Sequence, residues 1–528
     1  MPRRSSWPHR AGRRRGPATL AITLAAGLFT TGLITAGMVA GTPTDADAAD
    51  KSPAATEALT GVVERLSVET ETETPTRAET PTRNQPQPPP GHPARTTTIT
   101  GWIRSATGHV QVPASALDGI PTGATVTVQL DPARRVAVTA TDGATPITRS
   151  ARSVRSIRVL ATARPPVKPA VSAGPQSVTV LMALPRGARP DTASVSALAS
   201  TIGTGVARYW SQQSGGKVTF SIYRRVGWTT LSHSCSDIWG LWDEARTKIG
   251  FVSGARRHLV VYVPPGAGCP TGLGTVGEGV DAGGNVLVGG SSVGLLAHEL
   301  GHNLGLGHSN ALKCPDTSDG VYSGSGYAGG CESVEYGDWY DVMGISWDNL
   351  GTLSTGQAYR LGLLGATQVR NVSAPARVAL RAVSGHTGLQ SLRIHDPSGA
   401  TYLVEYRPAS GADAWLNTSA DWRQLRPGVL VRRIDPADPT QTLLLDPTPS
   451  ATDPDADWDV ALTTGLSLTA ASGRVGVLVE ATTTTSAVIS VQVDGAWPST
   501  LVEPGGRLIN GAQVTVGEAP AMWAAAAL

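Results

Sequence analysis

The chain has 528 residues, a net charge of +2 and 40% hydrophobic residues. That length provides for roughly two to four domains, each able to bury its own core without relying on disulfides. The near-neutral balance gives no electrostatic support for nucleic-acid binding.

Residues 1–48 read as an export signal. Arg3, Arg4, Arg10 and Arg13 to Arg15 make a basic head, Ala18 to Gly41 an uncharged apolar run, and Ala46-Asp47-Ala48 a small-x-small cleavage site. A secreted, extracellular protein is expected. The apolar run is also long enough to span a bilayer, so an uncleaved N-terminal anchor with an exoplasmic remainder is the competing reading, and only under it does the membrane become a partner. Residues 49–95 are polar, with the near-repeat Glu73-Thr-Pro-Thr-Arg77 and Glu79-Thr-Pro-Thr-Arg83 followed by Pro86 and Pro88 to Pro90. They are expected to form a disordered or extended Thr/Pro-rich linker. Residues 96–164 contain β-branched runs such as Gly123 to Leu130 and Arg135 to Ala140, separated by turn dipeptides, and predict a small β-domain. It is either a propeptide whose removal opens the site or an attachment module. No Cys precedes Cys235, so an upstream thiolate cannot occupy a metal there. Residues 165–175 form a Pro-rich hinge.

The next domain spans residues 176–366. Ser177 to Leu184 reads as a buried strand, and Thr192 to Gln213 has helical spacing through Val195, Leu198, Ile202 and Val206. Strands over Lys217 to Val226 and Arg257 to Val263 enclose a helix over Ile238 to Ile249. Asn285 to Gly290 is a short apolar strand, expected as the sheet edge along which a peptide adds. His298-Glu-Leu-Gly-His-Asn-Leu-Gly-Leu-Gly-His308 follows. On a helix, residues four apart share a face, so His298 and His302 can present two imidazoles to one metal with Glu299 beside them. Val293, Leu296, Ala297, Leu300 and Leu304 fall on the opposite side; Leu295 is the exception. Gly305 lets the chain leave the helix, and His308 returns as a third ligand. Three neutral imidazoles leave the full charge of one catalytic Zn²⁺ to act on water, and Glu299 supplies a base.

Four cysteines, Cys235, Cys269, Cys314 and Cys331, are compatible with two disulfides in an oxidising compartment. Three pairings are open; Cys235 with Cys269 and Cys314 with Cys331 is favoured because each closes a local loop beside the motif. His233, His258, His386 and His395 stand at no ligand spacing and read as polar or packing residues.

Tyr336-Gly-Asp-Trp-Tyr-Asp-Val-Met-Gly344 suggests a Met-turn, a signal strengthened by its place shortly after a three-His motif. His298 to His308 together with Met343 resembles the metzincin clan of zinc endopeptidases. The strings His298 to Asn310, Tyr336 to Asp338 and Asp341 to Gly344 resemble its gametolysin branch, over about Gln176 to Gly365. The resemblance implies a mixed twisted sheet over helices, His298, His302 and His308 as ligands, Glu299 as base and Met343 in the turn. Some metzincins carry an extra Tyr ligand two residues after that Met; Ile345 stands here, so three protein ligands plus water are expected.

A closing helix over Ser354 to Leu364 precedes a C-terminal β-domain, 367–495, with runs such as Tyr402 to Arg407 and Gly428 to Asp435. It resembles the β-rich extension of gametolysin-like and immune-inhibitor-like proteases and predicts a β-sandwich. Asp453, Asp455, Asp457 and Asp459 alternate as Ca²⁺ ligands do, and equally as an exposed acidic loop does. Residues 496–528 form a tail. The expected fold is thus α+β, a metzincin-like catalytic domain flanked by an N-terminal β-domain and a C-terminal β-sandwich-like domain. The expected activity is a secreted, monomeric zinc endopeptidase acting on protein or peptide substrates. An inactive zinc-containing adhesin, or a zinc hydrolase of a non-peptide cell-wall amide, are the alternatives.

Overall fold

The computed structural model describes residues 57–72, 94–106, 108–120, 122–142, 145–161, 175–324, 326–346, 348–450 and 457–499. The export signal, residues 73–93 of the linker, the hinge before residue 175, Asp453, Asp455 and the tail from residue 500 lie outside them. Strands predominate over helices, and among the described residues they form three sheets.

The first sheet begins with a departure from expectation. Residues 57–72, read as linker, are strand β1 (Glu57–Thr72). The cause is a period-two pattern hidden in a polar segment: Gly61, Val63 and Arg65 are buried while Val62 and Glu64 are less so. β1 pairs antiparallel with β2 (Ala94–Ser105), which continues to β3 (Gly108–Val112), and with β4 (Thr125–Asp142), which pairs with β5 (Thr145–Ala161). Val63, Ile103, Leu117, Val126 and Val128 form a small core there. Arg65 enters it with its guanidinium satisfied, donating to the carbonyls of Leu117 and Ile120 at 2.7 and 2.8 Å and to Thr122 Oγ1 at 3.2 Å.

The same sheet runs on through the middle of the chain. β6 (Gln176–Leu184) lies between β7 (Phe220–Thr230) and β8 (Arg257–Tyr262), and β10 (Gly284–Val288) follows β8, all parallel. β9 (Gly272–Thr275) pairs antiparallel with β10 on one side and, through Leu66–Glu69, with β1 on the other. β10 is therefore an interior strand, not the expected edge. The residues that cover it, 272–275, are short and carry two glycines, so they give no strand signal. One face of the sheet packs on α1 (Val195–Ser200), which passes through a π-helical turn (Thr201–Val206) into α2 (Ala207–Gln213), and on α4 (Val293–Asn303). The other face packs on α3 (Ile238–Ile249), where Trp239 and Trp242 are buried.

β11 (Ser309–Lys313) and β12 (Glu332–Val334) leave this region and join a second sheet. After α5 (Thr355–Arg360), that sheet takes β13 (Val369–Val372), β15 (Ser391–His395), β16 (Thr401–Arg407), β17 (Gly428–Ile434) and β18 (Thr442–Leu445), in the order β12-β11-β18-β17-β16-β15-β13. A third sheet orders β14 (Ala376–Arg381), β21 (Ser486–Gln492), β20 (Gly476–Thr482) and β19 (Ser467–Thr469). Leu392, Val404 and Leu443 of the second sheet share a core with Leu380, Val479 and Ile489 of the third, so two sheets enclose one apolar layer. β1 joins β9 across residues 165–175, and β11 joins β18 across residue 366; the described residues fall within one compact unit.

Candidate metal centre

Helix α4 begins where Ser292 accepts a hydrogen bond from the Leu295 amide, the usual way of satisfying an orphan N–H at a helix start. Leu296, Ala297, Leu300 and Leu304 enter the core against α2, and Trp210 donates its indole N–H to the Ala297 carbonyl at 3.2 Å. Leu295, off the apolar stripe by phase, is buried as well. Gly305 takes φ +100°, which a side chain would strain, and turns the chain back so that His308 faces the helix.

His298, His302 and His308 come together with ligand nitrogens all within 4.8 Å of one another, and each ring is no more than 1% exposed. Their hydrogen bonds fix the tautomers. Nδ1 of His298 donates to the Val342 carbonyl at 2.6 Å, Nδ1 of His302 to the Leu306 carbonyl at 2.8 Å, and Nδ1 of His308 to Glu335 Oε1 at 2.6 Å. Carbonyl and carboxylate oxygens only accept, so each Nδ1 carries a proton, and Nε2 is the ring nitrogen left to act as a ligand. Nε2 of His302 and Nε2 of His308 are 3.2 Å apart. Ligands about 2.0–2.1 Å from a tetrahedral metal stand at nearly this separation. The three residues therefore form a group that can hold a metal ion.

Glu299 is buried on the same helix. Its carboxylate lies against β9: a Cβ built on Gly274 would come within 3.0 Å of Glu299 Oε2, so only glycine permits this approach. The helix is tied to this segment directly, with the Gly277 amide donating to the His302 carbonyl and the Asn303 side-chain Nδ2 to the Thr275 carbonyl.

Met343 is fully buried in the core that contains α4. Asp341 holds the turn around it, accepting from the Met343 amide at 2.7 Å and from the Ser354 amide at 2.6 Å. The Met343 carbonyl accepts from the Ser309 amide, linking the turn to the strand after the third ligand. Tyr336, at φ +59°, sets its ring 4.2 Å from that of His308.

Behind the turn lies a sealed charge network. Asp338 pairs with Arg432, Glu405 with both Arg432 and Arg407, and Arg407 with Asp413, and none of the five is more than 1% exposed. Burial alone would raise the Glu405 carboxyl, but Arg432 and Arg407 outweigh it and pull it down to about 2.

The two favoured disulfides, Cys235–Cys269 and Cys314–Cys331, are both formed. They suggest an oxidising location, and no described helix is long and apolar enough to cross a membrane. Of the calcium candidates, Asp453 and Asp455 lie outside the described residues, while Asp457 Oδ1 accepts from the Asp459 amide and Asp459 pairs with Arg426; the three histidines are the one metal-capable group among the described residues. His258 is buried between Gln176 and Asn303, a packing role as expected.

Glu335, Asn310 and Gln441 were not assigned roles from the sequence. Glu335 follows no spacing rule relative to His308, and Gln441 lies far along the chain. No family model and no curated protein matches the sequence. A solved chaperone–substrate complex aligns with 11% identity and a TM-score of 0.19 over 43% of this chain, which spans 36% of the length of that one; a likeness this distant carries no argument.

Proposed function

We propose that the protein is a zinc-dependent endopeptidase of metzincin type, resembling the gametolysin branch, that hydrolyses peptide bonds in proteins outside the cell. The observation that carries this reading is the donor set: three buried imidazoles with every Nδ1 proton engaged and every Nε2 turned inward, beside a buried carboxylate on the same helix. All-nitrogen neutral ligation suits zinc, and a purely structural site has no use for the carboxylate. Zinc held there supplies a Lewis acid that polarises a carbonyl and lowers the pKa of water toward about 7. Glu299 takes the proton from the attacking water and hands it to the leaving amine. Val342, Leu306 and Glu335 keep the rings oriented and their Nε2 atoms basic.

The test is Glu299→Gln in the secreted protein. It is expected to retain one equivalent of zinc and to lose casein hydrolysis by several orders of magnitude, because amide nitrogen cannot accept the proton. A variant that still cleaves casein at near wild-type rate removes Glu299 from the role of base. Activity on cell-wall amides but not casein would instead favour the non-peptide hydrolase.

A further inference from the structure

The first two histidines are placed by their own helix, but His308 lies beyond the helix end and needs another support. That support comes from the far end of the chain. The amide of Gly307 donates to the Thr440 carbonyl at 2.9 Å, and the amide of Thr442 donates to the His308 carbonyl at 3.1 Å. The backbone is thus held at the amide of the residue before the third histidine and at that histidine's own carbonyl by one three-residue segment, and the pairing continues as the parallel ladder of β11 with β18.

Side chains lock the register. Asn310 Nδ2 donates to Gln441 Oε1 at 2.6 Å while Asn310 Oδ1 accepts from the Tyr336 amide at 3.0 Å. Tyr336 is the residue whose ring packs on His308, so Gln441 reaches the ligand through two intervening residues, Asn310 and Tyr336. Gln441 and Asn310 are both buried, and no water can replace the bond if it is lost. The preceding turn is itself tied down. Asp438 Oδ1 accepts from the amide and hydroxyl of Thr440, and Asp438 Oδ2 pairs with Arg65 of β1 at 3.3 Å.

We propose that residues 438–442, and Gln441 in particular, are positioning residues for the third metal ligand, so that the C-terminal β-region is part of the metal centre. This rests on the reading of His298, His302 and His308 as ligands. Gln441 touches neither metal nor substrate; it acts by holding β11, and with it His308, in register.

The experiment is cobalt affinity of the full chain, measured by chelator competition and by the visible cobalt spectrum, with no dependence on peptidase activity. Gln441→Ala is expected to weaken cobalt binding by roughly 10- to 100-fold, as for other residues that orient ligands, with a change in the cobalt bands that reports loss of one imidazole. Gln441→Glu, which keeps the acceptor for Asn310, is expected to stay close to wild type. In a His308→Ala background Gln441→Ala is expected to cost nothing further, because its effect passes through that ligand. Wild-type affinity in Gln441→Ala, or an equal loss with and without His308, overturns the proposal. Should the alanine variant not fold, Gln441→Met, of similar length and without the acceptor, is read in the same way. A wild-type chain that binds no cobalt, or binds it equally well after His298→Ala, defeats the metal reading itself and is told apart by that control.

Discussion

Two β-regions flank the three-histidine group, and they are joined to it by different kinds of seam. The N-terminal strands touch the central sheet through four residue pairs, Leu66–Glu69 against Gly272–Thr275, and leave cavities of about 900 and 240 Å³ lined from both sides. The C-terminal strands continue a sheet begun by β11 and bury five charged side chains behind the turn around Met343, leaving at that seam a smaller cavity of about 150 Å³. Protein interiors are close-packed, whereas separable interfaces tolerate gaps. The C-terminal seam is built like an interior and the N-terminal seam like a contact that can part.

The largest effect that would sharpen this contrast is expected at Glu405. Glu405→Ala leaves Arg407 and Arg432 short of a counter-charge in a sealed site, at a cost of about 3–5 kcal/mol in urea unfolding. Because folding lowers this carboxyl from 4.5 to about 2, its contribution is complete above pH 4.5 and lost as pH falls toward 2. A wild-type unfolding midpoint in the variant would show that the C-terminal seam does not depend on the network.

A smaller effect of opposite sign is expected at Asp435, at the start of the loop that reaches both seams. Burial raises its carboxyl from 3.8 to about 6, with Asp438 adding to the rise. The fold therefore favours the protonated form, and the penalty is absent below about pH 4 and complete above pH 6, where it amounts to about 3 kcal/mol. Asp435→Asn, which keeps an oxygen for the Tyr327 hydroxyl and the Ala437 amide, should stabilise the protein by up to that amount at pH 7 and by nothing at pH 4. Equal stability of variant and wild type across this range would contradict it.

The smallest effect on the metal centre is expected from the N-terminal side. Proteolytic cutting between residues 161 and 175 frees β1–β5 from covalent attachment; cobalt affinity of the remainder should fall less than in Gln441→Ala, because only the Arg65–Asp438 support of the turn goes with β1, while casein hydrolysis rises as the β9 edge is released. A fall as large as that of Gln441→Ala would mean that the Arg65–Asp438 pair, and not the C-terminal strand, is what holds His308.

What the sequence disclosed follows the same contrast between local and distant contacts. Helix α3 matches its expected bounds, Ile238–Ile249, because its period is local and Asp237 caps it. The three histidines lie within eleven residues, and both disulfides close short loops, so nearby spacing was enough. β1 was lost among Thr and Glu because polar residues outnumber the buried ones, and β9 because its two glycines look like a turn. With β9 unseen, β10 became an apparent edge. The ladder between β11 and β18 and the pairing of Asp338 with Arg432 join residues far apart in sequence, which no period or spacing reports.

That ladder also sets an order of events. Ser309 meets Thr442 across a separation of 133 residues. During synthesis the helix carrying His298 and His302 can form as soon as it emerges, but the strand that seats His308 does not yet exist. A nascent chain can offer two imidazoles early and the third only after nearly the whole protein has been made. Contacts that distant form late in folding. The three-histidine group is therefore completed late, and a chain that stalls before residue 442 cannot hold His308 between Thr440 and Thr442.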